Sequence, residues 1–345
     1  MTAGSSKRGT DIDILILVLV IIAALGFEFI NGFHDTANSI ATTVYTKALP
    51  VAGAIALAAG MNFLGAFVSE GVAKTISSGL VSVELADYVI LAALLGAITW
   101  NLFTWWKGIP CSSSHALIGG LLGATIAYTV SLNGVLWVGV LQKVVIPMFT
   151  SPLIGFFIAF CLMKLIYRLF SNANHSRTGR VFLRLQIVSA AAVAFSHGTN
   201  DAQKTMGIIT LALFTGGFLA TAEHVPIWVK FLCAATMAAG TSVGGWRIMR
   251  TMGHGVTKLD SVRGFAAETT SAIVIQVMTA LHAPISTTHA ITSAVMGVGS
   301  ARRLSAVKWT KAKEIVLTWV ITPPVAIALG GAFVFIIQFI MRLFA

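Results

Sequence analysis

The chain has 345 residues, of which 57% are hydrophobic and only 10% charged, with a mean hydropathy of +0.88. One soluble core cannot bury that much apolar surface, so the solvent is the lipid bilayer and the chain reads as an all-α polytopic membrane protein. The formal charge of +11 lies in short loops between apolar runs, the pattern of cytoplasmic membrane loops, which argues against nucleic acid as a partner.

The first ten residues are polar, and an apolar run over 12–46 leads into Asn31-Gly32-Phe33-His34-Asp35-Thr36-Ala37-Asn38, so it is not read as a cleavable signal peptide. Apolar runs follow at 50–69 and 88–106, then Ile109-Pro110-Cys111-Ser112-Ser113-Ser114-His115, then runs at 112–130 and 134–166. After a basic stretch at 167–181 the order repeats. The run 182–218 carries His197-Gly198-Thr199-Asn200-Asp201-Ala202-Gln203-Lys204, and 225–247 and 264–282 precede Ala283-Pro284-Ile285-Ser286-Thr287-Thr288-His289. Runs at 285–300 and 314–343 complete the chain. Residues 1–166 and 182–345 therefore read as two membrane repeats joined by a cytoplasmic linker, a common plan for secondary transporters. The short runs at 112–130 and 285–300, polar at their starts, read as arms of two helical hairpins.

Loop charge gives the orientation. Glu70, Glu84 and Asp87 face one Lys74 in the loop over 70–87, whereas its counterpart holds Arg247, Arg250, Lys258 and Arg263 against one Asp260. Equivalent loops then lie on opposite sides, which predicts inverted-topology repeats with both termini outside and 167–181 in the cytoplasm.

The polar residues inside these runs are functional candidates by default. Hydroxyls and free backbone N–H groups at a hairpin turn supply many donors to a tetrahedral oxyanion without the desolvation cost of many fixed charges, a role that suits Ser112, Ser113, Ser114, Ser286, Thr287 and Thr288. The Gly in each stem lets a helix break, and Asp35 and Asp201 offer acceptors for a cation or proton. Cys111, Cys161 and Cys233 lack metal spacing and read as buried small hydrophobes.

The doubled stem and the doubled Pro-hydroxyl-His element resemble the inorganic phosphate transporter (PiT) family, and particularly its bacterial low-affinity branch, over essentially the whole chain. The resemblance implies a plasma-membrane protein (the bacterial inner membrane) that takes up inorganic phosphate by cation-coupled symport. Its site would lie between the repeats, formed by the Asp stems and the hairpin hydroxyls, with Asn200 and Lys204 beside the phosphate and Asp35, Asn38 and Asp201 handling the cation. The sodium-driven members are similar to one another in a Gly-x-Asn-Asp-x-x-Asn pattern, from which His34 and Lys204 depart here. A lysine one turn after Asp201 can stand where a sodium ion would, and a histidine beside Asp35 can carry a proton, so the expected coupling ion is H+, with Na+ as the alternative. A lysine that snorkels to the interface is the competing reading of Lys204. No cofactor is expected. The bacterial branch implies that phosphate can enter as a neutral divalent-metal complex, and a homodimer is left open.

Glu268, near the basic side, is a further candidate for cation or proton handling, while Asn31, Asn101, Gln276 and Glu28 are weaker ones. His115 and His289 read as braces of the hairpins. An intramembrane hydrolase is disfavoured, since Ser and His so close in sequence do not imply triad geometry, and no enzyme activity is expected. An anion channel and a sulfate transporter of the same family remain alternatives; sulfate cannot donate to a carboxylate at neutral pH, whereas hydrogen phosphate can.

The topology is directly testable. In a background lacking the native cysteines, cysteines placed at Ser82 and Ser261 should react with an impermeant maleimide from opposite sides of the membrane, and reaction from one side would defeat the inverted arrangement.

Overall fold

Each apolar run forms a helix in the structure, a computed structural model that describes residues 3–245, 249 and 256–344, with side chains from Ile14 onward except those of Asn38, His175 and Phe344. In the first half these are α1 (Ala3–His34), α2 (Thr36–Tyr45), α3 (Val51–Gly65), α4 (Gly71–Ser78), α5 (Asp87–Lys107) and α6 (Ser113–Thr129). A short α7 (Trp137–Val140) continues through one widened turn into α8 (Ile146–Leu169). In the second half are α9 (His175–Thr215), α10 (Ile227–Val243), α11 (Ser261–Ala280), α12 (Thr287–Ser300) and α13 (Trp309–Phe344). Among the described residues, 5 helical stretches are long and apolar enough to cross a membrane. The spans ending in α8 and α13 have only 28% and 22% of their apolar windows buried, against 50% for α5 and α9, so the former face lipid and the latter form the interior.

Some expectations change. The basic stretch over 167–181 is mostly helical, because α8 ends at Leu169 and α9 begins at His175, capped by Asn174 accepting the Ser176 and Arg177 N–H groups at 3.1 and 3.2 Å. The acidic loop contains α4, whose first N–H groups, from Val72 and Ala73, donate to Gln203 Oε1 at 2.8 and 3.2 Å. At its start, burial pushes the Glu70 carboxyl up, but the Lys230 ammonium and the Val225 N–H outweigh this and hold it below the ordinary carboxylate value. Arg247 and Arg250, used to orient the second half, lie outside the described residues. Cys161 is exposed on the lipid flank, whereas Cys111 and Cys233 are buried as expected.

The two hairpins are closed by the same local device. After α5, Gly108 adopts φ +67, its N–H donates to Trp105 O at 2.9 Å, and the Ile109 N–H reaches Thr104 O at 2.9 Å. After α11, His282 adopts φ +56, with matching bonds from His282 to Thr279 O at 2.9 Å and from Ala283 to Met278 O at 3.0 Å. This left-handed stop saturates the last carbonyls, and Pro110 and Pro284 then prevent the helix from resuming. Ser112 and Ser286 start the return arms, their side chains accepting the His115 and His289 N–H groups at 3.1 and 3.2 Å.

The glycines of the two stems do different work from that expected. The first stem is interrupted only at Asp35, whose N–H still reaches Asn31 O at 2.9 Å, and α9 runs through the second stem without interruption. Gly32 and Gly198 are instead crossing points: a Cβ would lie 2.5 Å from Met237 O in one case and 2.2 Å from Asn62 O in the other. The partner helices reciprocate, for a Cβ on Gly240 would lie 2.1 Å from Phe29 O and one on Gly65 2.2 Å from Phe195 O. Thus α1 packs on α10 and α9 on α3, while α13 packs on α6 and α8 on α12. Each half wraps the hairpin and stem of the other, so the halves share one core.

Because the atom facing Gly240 is backbone, Gly240→Val should force α1 and α10 apart and destabilise by about 1–3 kcal/mol, read as a lower melting temperature of the detergent-solubilised protein. Gly60→Val, where a Cβ meets nothing within 4 Å, should melt like the wild type; equal melting of both variants would remove the crossing from the account.

Candidate functional site

The fold brings the first turns of α6 and α12 against the two Asp stems. Ser113 Oγ lies 2.5 Å from Asp35 Oδ2 and 2.8 Å from Asn31 Oδ1, and the equivalent Thr287 donates to Asp201 Oδ2 at 3.2 Å. The next residue of each hairpin reaches across: Thr288 donates to Asp35 Oδ1 at 3.3 Å, and Ser114 accepts from Lys204, the ion-pair partner of Asp201. Residues 113 and 287 therefore bind the Asp of their own half, and 114 and 288 bind the opposite half. All of these side chains are buried, so the centre is closed to both faces.

Lys204 settles one question raised by its sequence. Its ammonium does not snorkel: it is 1% exposed and meets Asp201 Oδ1 at 2.5 Å, Ile285 O at 2.9 Å and Ser114 Oγ. An ammonium has three protons, and all three have acceptors here. Asp201 Oδ2 also lies 3.2 Å from His197 Nε2.

At Asp35 a histidine takes the equivalent place. His34 Nδ1 lies 2.8 Å from Asp35 Oδ1, and His34 Nε2 lies 3.2 Å from Thr104 Oγ1. The Thr104 hydroxyl also lies 3.0 Å from Trp100 O and 3.0 Å from Cys111 Sγ. With Nδ1 donating to the carboxylate, the His34 ring is held at Asp35 as the Lys204 ammonium is at Asp201. Asp35 with His34, and Asp201 with Lys204 and His197, are two clusters of acid and base in a low-dielectric interior, where an unpaired charge would cost several kcal/mol.

The other candidates fall into place around this centre. Ser112 and Ser286 cap helices, as described above. Both amide protons of Asn200 go to the α11–α12 hairpin, at Thr279 Oγ1 (2.7 Å) and Ala283 O (3.2 Å), so its expected role as a phosphate donor is replaced by a hairpin contact, leaving only its oxygen unpartnered. Asn101 lies behind His34, where its Oδ1 faces the Cys111 thiol at 3.9 Å. Glu268 is not at the centre: it accepts from Thr42 (2.5 Å), Thr43 (2.8 Å), Ser189 (2.6 Å) and Gln186 (3.0 Å), tying α11 to α2 and α9. Gln276 is half-buried and shares no hydrogen bond with the cluster among the described residues, and the side chain of Asn38 lies outside them. His115 and His289 brace the hairpin tips as expected, their rings 4.9 Å apart, with His289 stacked on Trp319 at 4.0 Å.

The sequence reading missed Asn62. Its amide donates to Thr36 at 3.1 Å and Thr241 at 3.2 Å while its oxygen faces His197 Nδ1 at 3.2 Å, linking both stems. A lone Asn inside an apolar helix was the signal available for it.

The chain is similar to known proteins along nearly its whole length. The model of the Phosphate transporter family matches residues 31–330. A protein of Bacillus subtilis (strain 168) named "Probable low-affinity inorganic phosphate transporter" is 47% identical over 335 residues, covering 96% of this chain and 99% of its own. One of the same name from Rhizobium meliloti (strain 1021) is 49% identical, covering 90% and 93%. A solved structure described as the sodium-dependent phosphate transporter superposes with a TM-score of 0.86 at 27% identity, covering 94% of this chain and all of its own. The chain belongs to the phosphate transporter family, whose members are membrane transport proteins rather than enzymes.

Proposed function

We infer that this chain is a proton-coupled phosphate symporter of the bacterial inner membrane, working by alternating access around one central site. The observation that carries this reading is the Lys204 ammonium, held by three acceptors between Asp201 and the hairpin tip, where a bound sodium ion would otherwise balance the carboxylate. His34 does the same for Asp35. With His34 protonated, both acidic groups have cationic partners, and an incoming phosphate must bring its own compensating charge, as protons or as a neutral divalent-metal complex. The leading N–H groups and hydroxyls of α6 and α12, including Ser113, Ser114, Thr287 and Thr288, are the donors for its oxygens once the hairpins part.

Exchanged packing of the halves and the opposed loop charges support inverted repeats with both termini outside and the linker in the cytoplasm. The exposed apolar faces of α8 and α13 suit lipid or a second copy of the chain. Sodium coupling is the second reading, favoured by the likeness to a solved transporter described as sodium-dependent. Glu268, at the crossing of α2, α9 and α11, fits a latch on the basic side of the pathway.

In proteoliposomes, phosphate accumulation should follow an imposed proton gradient and be indifferent to replacement of sodium by choline; a requirement for sodium would overturn the proton reading. In the Lys204→Asn, His34→Asn double variant, which restores oxygen ligands beside both Asp residues, proton dependence should fall and sodium stimulation appear.

Asp35→Asn and Asp201→Asn should each abolish concentrative uptake while leaving the protein inserted, because each removes the negative charge beside His34 or Lys204 and turns one of the two acceptor oxygens that hold the hairpin tips into a donor. Wild-type accumulation by either variant would rule out the two-Asp centre.

A further inference from the structure

Two buried carboxyls, Glu28 and Glu268, have no ion-pair partner among the described residues. Glu28 lies on α1, one turn before Asn31 and two turns before Asp35, and is 0% exposed. Its Oε2 accepts the Thr205 hydroxyl, and its Oε1 meets no hydrogen-bond donor. Glu268, by contrast, accepts four hydrogen bonds. A carboxylate with only Thr205 and Asn31 beside it and one oxygen bare is too costly to hold ionised inside a membrane protein, so in this closed arrangement Glu28 is the neutral acid.

Its surroundings give that proton somewhere to go. Asp201 and Lys204 act on Glu28 electrostatically from α9, Cys233 is the titratable group facing it from α10, and Asn31 is its polar neighbour on α1. Thr205, which binds Glu28, directly follows Lys204. Two of the three acceptors of Lys204, Ser114 Oγ and Ile285 O, belong to the hairpins and leave with them when the centre opens. The ammonium then needs a new partner.

We propose that Glu28 is the proton-binding site of the transport cycle, protonated while the hairpins hold Lys204 and ionised when Lys204, released by the hairpins, turns to it. As the Glu28–Lys204 pair forms, the proton passes to water that enters the opened centre, and Glu28 takes a proton from that water as the hairpins close. This rests on the proton-coupled reading above and adds the group that carries the ion, distinct from the Asp pairs that hold the hairpins.

The test separates coupling from binding. In Glu28→Gln the site is fixed in its neutral form, so the purified variant in proteoliposomes should still exchange internal for external labelled phosphate. It should lose accumulation driven by a proton gradient, which for the wild type is about tenfold per pH unit for each coupled proton. Infrared spectra of the wild type should contain a protonated-carboxyl carbonyl band that is missing in Glu28→Gln and, if the Gln variant does not fold, is shifted in frequency in Glu28→Asp. Proton-driven accumulation that survives in Glu28→Gln, loss of exchange together with accumulation in a folded variant, or an unchanged carboxyl band each overturns the assignment while leaving the proton reading standing. A wild type indifferent to the proton gradient overturns that reading and Glu28 with it.

Discussion

A positive charge is buried at the centre of this protein, and the rest of the structure depends on satisfying it. The Lys204 ammonium is 1% exposed, and an ion taken out of water needs its full set of partners in close geometry. Those partners come from three places far apart in the sequence: Asp201 on the same helix, Ser114 from the first hairpin and the Ile285 carbonyl from the second. The ammonium therefore reports whether both hairpin tips are in place. When they are, the centre is closed to both faces, and His34 with Asp35 forms the corresponding pair in the first half.

Such convergence requires backbones to approach more closely than side chains normally allow. The glycines at 32, 65, 198 and 240 provide this at two equivalent crossings, and in each the facing atom is a carbonyl oxygen of a helix from the other half. Between helices in lipid, where apolar burial offers little net drive, this kind of small-residue contact carries much of the association. The hairpin ends use local chemistry instead: a left-handed stop, a proline, and a serine cap that leaves the next two hydroxyls free to reach the stems.

The symmetry of the polar centre has limits that matter for coupling. Positions 113 and 287, and 114 and 288, act as equivalents, whereas Glu28 and Glu268 have no acidic counterparts in the opposite half. A duplicated anion site needs two similar sets of donors.

Much of this was legible in the sequence because it is written in local patterns. Apolar runs of about 20 residues announce bilayer helices, and the Pro-hydroxyl-His elements announce hairpin turns with capped return arms, since caps and stops depend on nearest neighbours. The duplicated Asp stems marked both halves of the centre for the same reason, as ionisable groups in apolar runs. What only the tertiary structure decided are the pairings across the chain: that Gly32 and Gly198 are crossings rather than helix breaks, that Lys204 is locked in place rather than reaching the interface, and that Asn200 serves a hairpin. The partners of Asn62 and the bare oxygen of Glu28 also belong there, because whether a buried polar atom is satisfied depends on partners contributed by other helices, which no window of the sequence contains.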